Sequence, residues 1–285
     1  MSAGEWLWVD GEPDAMVPAD DRGLLLADGL FETIRLEGRE PCLFDYHCAR
    51  MAAGLAVLQF PNPTTSATDA LTAAVNWACA HPGHAGNGIL RLTLTRGSGP
   101  RGYLPPACPA LRSIARLTAG LPTNSEPARL TTVSVAWSEQ AQLAGLKLLA
   151  RAEQSLASLE AQQLGYDDAL MRDSNGMLVS SATGNLFIRR ANTLYTPTLS
   201  RCGIAGTRRA HIVSSLGKRC GFVVQEVTCE LAMLESADEV FVCNAVVGVR
   251  PVQSVSHGGH TWSFPDQSAY RRLSPLIHQS LSGVA

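Results

Sequence analysis

DRGLLLADGLFETIR, residues 21–35, runs directly into LEGRE at residues 36–40. From Phe31 onward apolar and polar side chains alternate, and the run breaks at Glu37-Gly38. Alternation with period two puts one side of a strand in a core and the other against polar surroundings, so this stretch predicts a hairpin arm. Working outward toward the N-terminus, WLWVDGEP (residues 6–13) reads as a strand and a turn. Toward the C-terminus, Asp45 can cap a helix through Ala49, Met51, Ala52 and Leu55, and a second helix is expected from near Ser66 to Ala80. GILRLTLT (88–95) and LRSIARLTA (111–119) are further strands, separated by the Gly/Pro loop RGSGPRGYLPPACP. LPTNSEP (121–127) has linker composition and marks the expected boundary between a domain at 1–120 and a second at 128–285.

The second half opens with the strand RLTTVSVAW (129–137). In LAGLKLLARAEQSLASLEAQQLG, Ala150, Gln154, Ala157 and Ala161 share one helical face. DDALMRDSNGMLVSS turns at Asn175-Gly176, a strong hairpin signal, and NLFIRRANTLYTP is a second hairpin. GTRRAHIVSSLGKRCG is a helix stopped by Gly221, followed by strands FVVQEV and EVFVCN and a last helix from about Asp266. Strands and helices mix without strict βαβ alternation, which favours two α+β domains over a doubly wound sheet.

Composition narrows the class. The chain has 285 residues, 46% hydrophobic and 17% charged, enough for one large or two medium cores. A net charge of −2 gives no reason to expect a nucleic acid or an acidic membrane as partner. Glu5, Asp10, Glu12 and Asp14 argue against a secretory signal, and no run reaches the length of a membrane-spanning helix. The eight scattered cysteines lack C-x-x-C spacing and are expected to be reduced and mostly buried, as in a cytoplasmic protein. His81 and His84 flank a Pro-Gly turn with no further ligand cluster, so no metal is expected. G-x-S-x-G, P-loop and strand-linked G-x-G-x-x-G motifs are all missing.

Three features can carry chemistry. Lys147 lies in the apolar QLAGLKLLA; burial there would lower its pKa and supply the neutral amine that Schiff-base chemistry needs. Its context alone favours the plainer reading, a lysine that snorkels to solvent, as most lysines do. RGSGPRGY places Arg96, Arg101 and Tyr103 on one loop, where two guanidinium groups could clamp a dicarboxylate or simply face solvent. In GIAGTRRAH, the amides of Thr207 and Arg208 open a helix and suit a phosphate, although any helix start looks similar.

Taken in order, these pieces carry more than they do singly. DRGLLLADGLFETIR, then His47-x-x-Arg50, an isolated lysine, the N-L-F of Asn185 to Phe187, a Gly-Ile/Gly-Thr helix start and Cys243-Asn244-Ala245 resemble the fold-type IV pyridoxal-phosphate (PLP) enzymes. That family contains branched-chain and D-amino-acid aminotransferases and aminodeoxychorismate lyases. The resemblance spans about residues 6 to 252, and RGSGPRGY, LAGLK and VCNAVVGVRPV look like the lyases in particular.

The resemblance implies a two-domain α+β fold of the D-amino-acid aminotransferase type, with PLP between the domains and a homodimer in the cytoplasm. It implies that Lys147 is the cofactor lysine and that Arg50, Thr207 and Arg208, with Asn244 and Ala245 on the last loop, receive the phosphate. It also implies a dicarboxylate substrate, 4-amino-4-deoxychorismate, with Arg96, Arg101 and Tyr103 as its candidate ligands, and a place in folate biosynthesis. One position departs from the family. Five residues before Asn185, where most members carry a glutamate against the pyridine nitrogen, stands Ser180. A carboxylate keeps that nitrogen protonated and the ring a strong electron sink, whereas a hydroxyl favours a neutral, weaker one. A transaminase depends on the full sink; an elimination that creates an aromatic ring has its own driving force. The alternatives left open are an aminotransferase and a non-catalytic relative.

Overall fold

A computed structural model describes residues 4–122 and 126–279. Thr123, Asn124 and Ser125 of the expected linker lie outside the described residues. The chain divides into two compact units: Met1–Pro122 with Leu146–Ala150, and Thr123–Gly145 with Arg151–Ala285. The expectation that the second domain carries Lys147 is therefore corrected: a short return segment belongs to the first unit.

The first unit contains β1 (Glu5–Val9), β2 (Glu12–Pro13), α1 (Arg22–Leu26), β3 (Gly29–Glu37), β4 (Glu40–Pro41), α2 (Phe44–Val57), α3 (Pro63–Ala80), β5 (Gly88–Thr95) and β6 (Arg112–Ala119). Its sheet runs β2-β1-β6-β5-β3-β4 and is antiparallel throughout. Alternation sorts the side chains as the sequence predicts. Leu30, Ile34 and Leu36 of β3, with Leu90, Leu92 and Leu94 of β5, enter one core with Met51 and Leu55 of α2 and Leu71, Ala74 and Ala78 of α3. The β3–β4 turn uses Gly38 and Arg39, both at positive φ (57° and 71°), the pattern of a tight two-residue hairpin. Two boundaries differ from expectation. Asp45 sits in the first turn of α2 rather than at its cap, because Leu43 at φ 54° precedes the helix. Helix α3 starts earlier, at Pro63, whose fixed φ suits a first helical position.

The second unit contains β7 (Ala128–Thr132), α4 (Ala152–Gln163), β8 (Asp168–Arg172), β9 (Leu178–Ser181), β10 (Asn185–Arg190), β11 (Thr193–Pro197), α5 (Thr207–His211), a π-turn at Ile212–Leu216, α6 (Gly217–Arg219), β12 (Val223–Val227), β13 (Glu239–Asn244), β14 (Gly248–His257), β15 (His260–Ser263) and α7 (Ser268–Leu273). Strands β10-β13-β14-β7-β8-β9 form a continuous path, and β9 pairs back onto β10 through Ser180↔Asn185, so the sheet closes on itself. Closure removes the open edges of those strands. Leu186 and Ile188 join Leu130, Leu170, Val240, Val242 and Val252 in one core. Phe187 points to the other face, stacks on Phe241 at 5.0 Å and packs with Ile212, Leu216 and Leu273. The turn after β8 falls at Asn175-Gly176 as expected, with Asp173 Oδ1 accepting from the amides of Asn175 and Met177, both at 2.9 Å. Among the described residues no helix is long and apolar enough to cross a membrane. Five of the eight cysteines are buried and none forms a disulfide.

Candidate active site

In the first unit the backbone decides where Lys147 points. Its carbonyl accepts from the Phe31 amide at 3.0 Å, and the Leu149 amide donates to Gly29 at 3.2 Å, so residues 147–149 add to the edge of β3. Side chains of an extended segment alternate. Leu146 and Leu148 therefore pack on the apolar core, while Lys147 leaves by the opposite face. There its Nζ stands 4.2 Å from the centre of the Phe31 ring. Lys147 is half-buried, between the two extremes its sequence context allowed.

The core-facing side of β3 holds a charge cluster among apolar neighbours. Glu32, 1% exposed, accepts from Arg50 Nε at 2.8 Å, is bonded also by Arg50 Nη2, and meets His47 Nδ1 at 2.6 Å. Burial alone would raise the Glu32 pKa. The Arg50 charge and then His47 outweigh it and hold the carboxyl at about 2, against an ordinary 4.5. Arg50, expected as a phosphate ligand, thus has two of its nitrogens committed to Glu32. This fixes its orientation.

Arg96 is corrected. Its Nε bonds Asp28 at 2.9 Å, its Nη2 bonds the Leu58 carbonyl at 2.7 Å, and it lies 4.0 Å over Phe60. A guanidinium so engaged and 5% exposed braces its own unit and does not reach out for a substrate. Arg101 and Tyr103 are exposed on the loop, whose backbone is gripped by Arg22 through the carbonyls of Gly102 (3.1 Å) and Tyr103 (2.8 Å).

In the second unit the closing pair of the barrel builds a cradle. Asn185 Nδ2 donates to the Ile204 carbonyl at 2.8 Å, and its Oδ1 accepts from the Gly206 amide at 3.1 Å. A Cβ on Gly206 would stand 2.0 Å from that oxygen, so only glycine fits. Gly206 caps α5, whose first-turn amides have no acceptor within the helix. The Thr207 hydroxyl is buried and has no hydrogen-bond partner among the described residues. A buried orphan hydroxyl at a helix start fits an anion such as phosphate. Arg208, fully buried, bonds the Ala245 carbonyl at 3.3 Å and His278 Nδ1 at 3.0 Å. The Asn244 oxygen accepts from the amides of Val246 and Val247, shaping that loop from within. Ser180 is buried, and its Oγ accepts from the indole N–H of Trp137 at 3.1 Å.

Several contributors escaped the sequence reading. His47 and Asn185 were visible as motif letters without a role. Glu32 was hidden in a strand pattern, and Trp137 lies 43 residues from the serine it orients.

Residues 29–255 match the model of the family Amino-transferase class IV. The chain belongs to that family. Class IV proteins are PLP-dependent and share the two-unit α+β architecture described above. The crystal structure of 4-amino-4-deoxychorismate lyase from Pseudomonas aeruginosa is similar with a TM-score of 0.82 and 34% identity, covering 96% of this chain and 99% of that one. An aminodeoxychorismate lyase of Vibrio harveyi is 29% identical over 93% of this chain and 97% of its own length. A D-alanine aminotransferase of Listeria innocua is 25% identical over 85% and 83%.

Proposed function

We propose that this class IV protein is an aminodeoxychorismate lyase, releasing pyruvate from 4-amino-4-deoxychorismate and leaving 4-aminobenzoate. The similarity at 34% identity along nearly the whole chain to a structure of that activity carries the reading. Pyridoxal phosphate, when bound, supplies a conjugated ring that draws electrons from the carbon bearing the substrate's amine. Lys147 provides the amine that holds the cofactor. Once free, the same amine removes the proton from the ring carbon that carries the substrate nitrogen, and the neighbouring enolpyruvyl C–O bond breaks. One residue thus serves as nucleophile and base, and no histidine pair is required. The Thr207 hydroxyl and the first amides of α5, including that of Arg208, receive the phosphate, with Gly206 held against Asn185 to keep that helix start open. Arg50, held by Glu32, is the first unit's residue in this reading for the phosphate. Asn244 and Ala245 border the phosphate through their loop. Ser180 takes the place of the usual carboxylate, with its hydroxyl oriented by Trp137. Arg101 and Tyr103 remain on the loop proposed to meet substrate. The reading also places the protein in folate synthesis, in the cytoplasm, as a homodimer.

The likeness to D-alanine aminotransferase supports a second reading, a transaminase. The two separate cleanly. Purified protein loaded with PLP is treated with borohydride and mapped by mass spectrometry, and a second sample receives 4-amino-4-deoxychorismate. The lyase reading expects a Lys147 adduct, lost in Lys147→Ala, and stoichiometric pyruvate. Conversion of the cofactor to its amine form by an amino acid, without pyruvate release from the dicarboxylate, would replace it with the transaminase.

A further inference from the structure

Ala269, Leu273 and Ile277 recur every fourth residue from α7 into the turns that follow it, and all three are buried in the core that holds Val249 and Ile212. The start of α7 is tied down as well. Glu239, at the head of β13, accepts from the amides of Ala269 at 2.7 Å and Tyr270 at 2.9 Å. The segment after α7 is therefore anchored, and His278 emerges at a set place over the first residue of β14. A Cβ on Gly248 would stand 2.6 Å from His278 Nε2 and 2.9 Å from Ile277 Cγ2, so glycine there lets the segment lie against the strand.

At that place His278 Nδ1 meets Arg208 Nη2 at 3.0 Å. A guanidinium carries donors only, so Nδ1 is the acceptor and the imidazole is neutral with its proton on Nε2. The same Nη2 donates to the Ala245 carbonyl at 3.3 Å. Its two N–H groups are thus matched to two neutral acceptors, one on the loop after β13 and one on the segment after α7, and the bond to His278 is the shorter. Arg208 is fully buried and is the second residue of α5, beside the orphan hydroxyl of Thr207. The seat of its guanidinium therefore sets the spacing between the first turn of α5 and the loop at residues 244–247. A ligand held by several groups at once is sensitive to displacements of about 0.5 Å in that spacing.

We infer that His278 is a positioning residue for the phosphate cradle, locking the Arg208 guanidinium against the Ala245 carbonyl so that α5 and the 244–247 loop keep one separation. The inference rests on the placement of the PLP phosphate at α5 in the reading above. It adds a residue 70 positions from Arg208 in sequence, acting through that arginine.

The test compares PLP with pyridoxal, which lacks the phosphate. Cofactor-stripped full-length protein, wild type, His278→Ala and His278→Asn, is titrated with each by tryptophan fluorescence, and the ratio of the two Kd values measures what the cradle contributes. His278→Ala should lower the preference for PLP about tenfold by weakening PLP alone, and His278→Asn, which keeps an acceptor near the position of Nδ1, should recover most of it. A purely structural role would weaken both compounds alike and leave the ratio untouched. A ratio in His278→Ala within about twofold of wild type, or an equal loss in His278→Asn, would overturn the inference and leave the phosphate placement standing. Wild-type protein that binds pyridoxal as tightly as PLP would instead overturn the placement itself, and the inference with it.

Discussion

Replacing Glu32 with glutamine tests the claim that a buried ion pair fixes Arg50. The carboxyl is drawn from an ordinary 4.5 to about 2 in the folded chain. Its folded pKa is depressed, so the stability it contributes is fully present above about pH 4.5 and disappears as pH falls through 2. Linkage converts that difference to about 3.4 kcal/mol at pH 7 and about 1.4 kcal/mol at pH 3. The neutral figure agrees with the roughly 3–5 kcal/mol expected when one partner of a buried pair is removed. Glutamine keeps the shape and removes the charge, leaving Arg50 and His47 facing a neutral amide. Because the chain has two units, whole-molecule unfolding is a poor ruler. Amide hydrogen exchange of peptides across β3 and α2, read at pH 7 and again near pH 4 and pH 3, measures the first unit directly. Protection at pH 7 should fall by a factor of order 10² and the gap to wild type should narrow on acidification. A second substitution, Arg50→Met, added to Glu32→Gln should recover much of the loss, since it removes the stranded cation. Equal protection at pH 7, or a gap that stays constant as pH drops, would refute the electrostatic account.

Four further outcomes follow from single contacts. Thr207→Val should leave the thermal stability of the cofactor-free protein unchanged or slightly higher, because it deletes an unpartnered buried hydroxyl, and should weaken PLP binding about tenfold by fluorescence titration. Gly206→Ala puts a Cβ 2.0 Å from Asn185 Oδ1 at a φ of −65°, which suits any residue, so a drop in PLP affinity of at least tenfold would report the clash itself. Ser180→Ala strands the buried Trp137 N–H and should cost about 1–3 kcal/mol, read as lost amide-exchange protection in peptides across β8 and β9, whereas Ser180→Thr should cost less. Arg22→Ala releases the backbone of residues 102–104, and limited proteolysis should then cut within 100–107 many times faster than in wild type.

What the sequence could announce depended on whether the cause was local. The alternation of β3 and β5, the Asn175-Gly176 turn and the Gly221 stop are each written in a few adjacent residues, and each appears where expected. Barrel closure was not legible, since Ser180↔Asn185 is one pair in a six-strand circuit and leaves no periodic mark. The loop arginines illustrate the same limit. Arg96 and Arg101 stood out by spacing, yet Asp28, Leu58 and Phe60 claim Arg96 from elsewhere in the chain.

Lys147 shows how the backbone can aim a proposed catalytic side chain. AGLKLLA has neither helical nor strand periodicity of useful length, and its neighbours on both sides belong to the other unit. Two backbone hydrogen bonds to β3 set the register, and from there alternation does the rest. A shift of one residue would send Lys147 into the apolar core and Leu146 and Leu148 out beside Phe31, costing the burial of two leucines, about 3–6 kcal/mol, together with the desolvation of an amine. The flanking leucines are therefore what aim the lysine. Leu148→Lys would remove that discrimination, since either register would then present an amine to the outer face. Borohydride trapping followed by peptide mapping should find wild-type protein labelled at Lys147 alone and the variant labelled at both positions. Labelling confined to Lys147 in the variant would mean that the hydrogen bonds to Phe31 and Gly29 hold the register unaided.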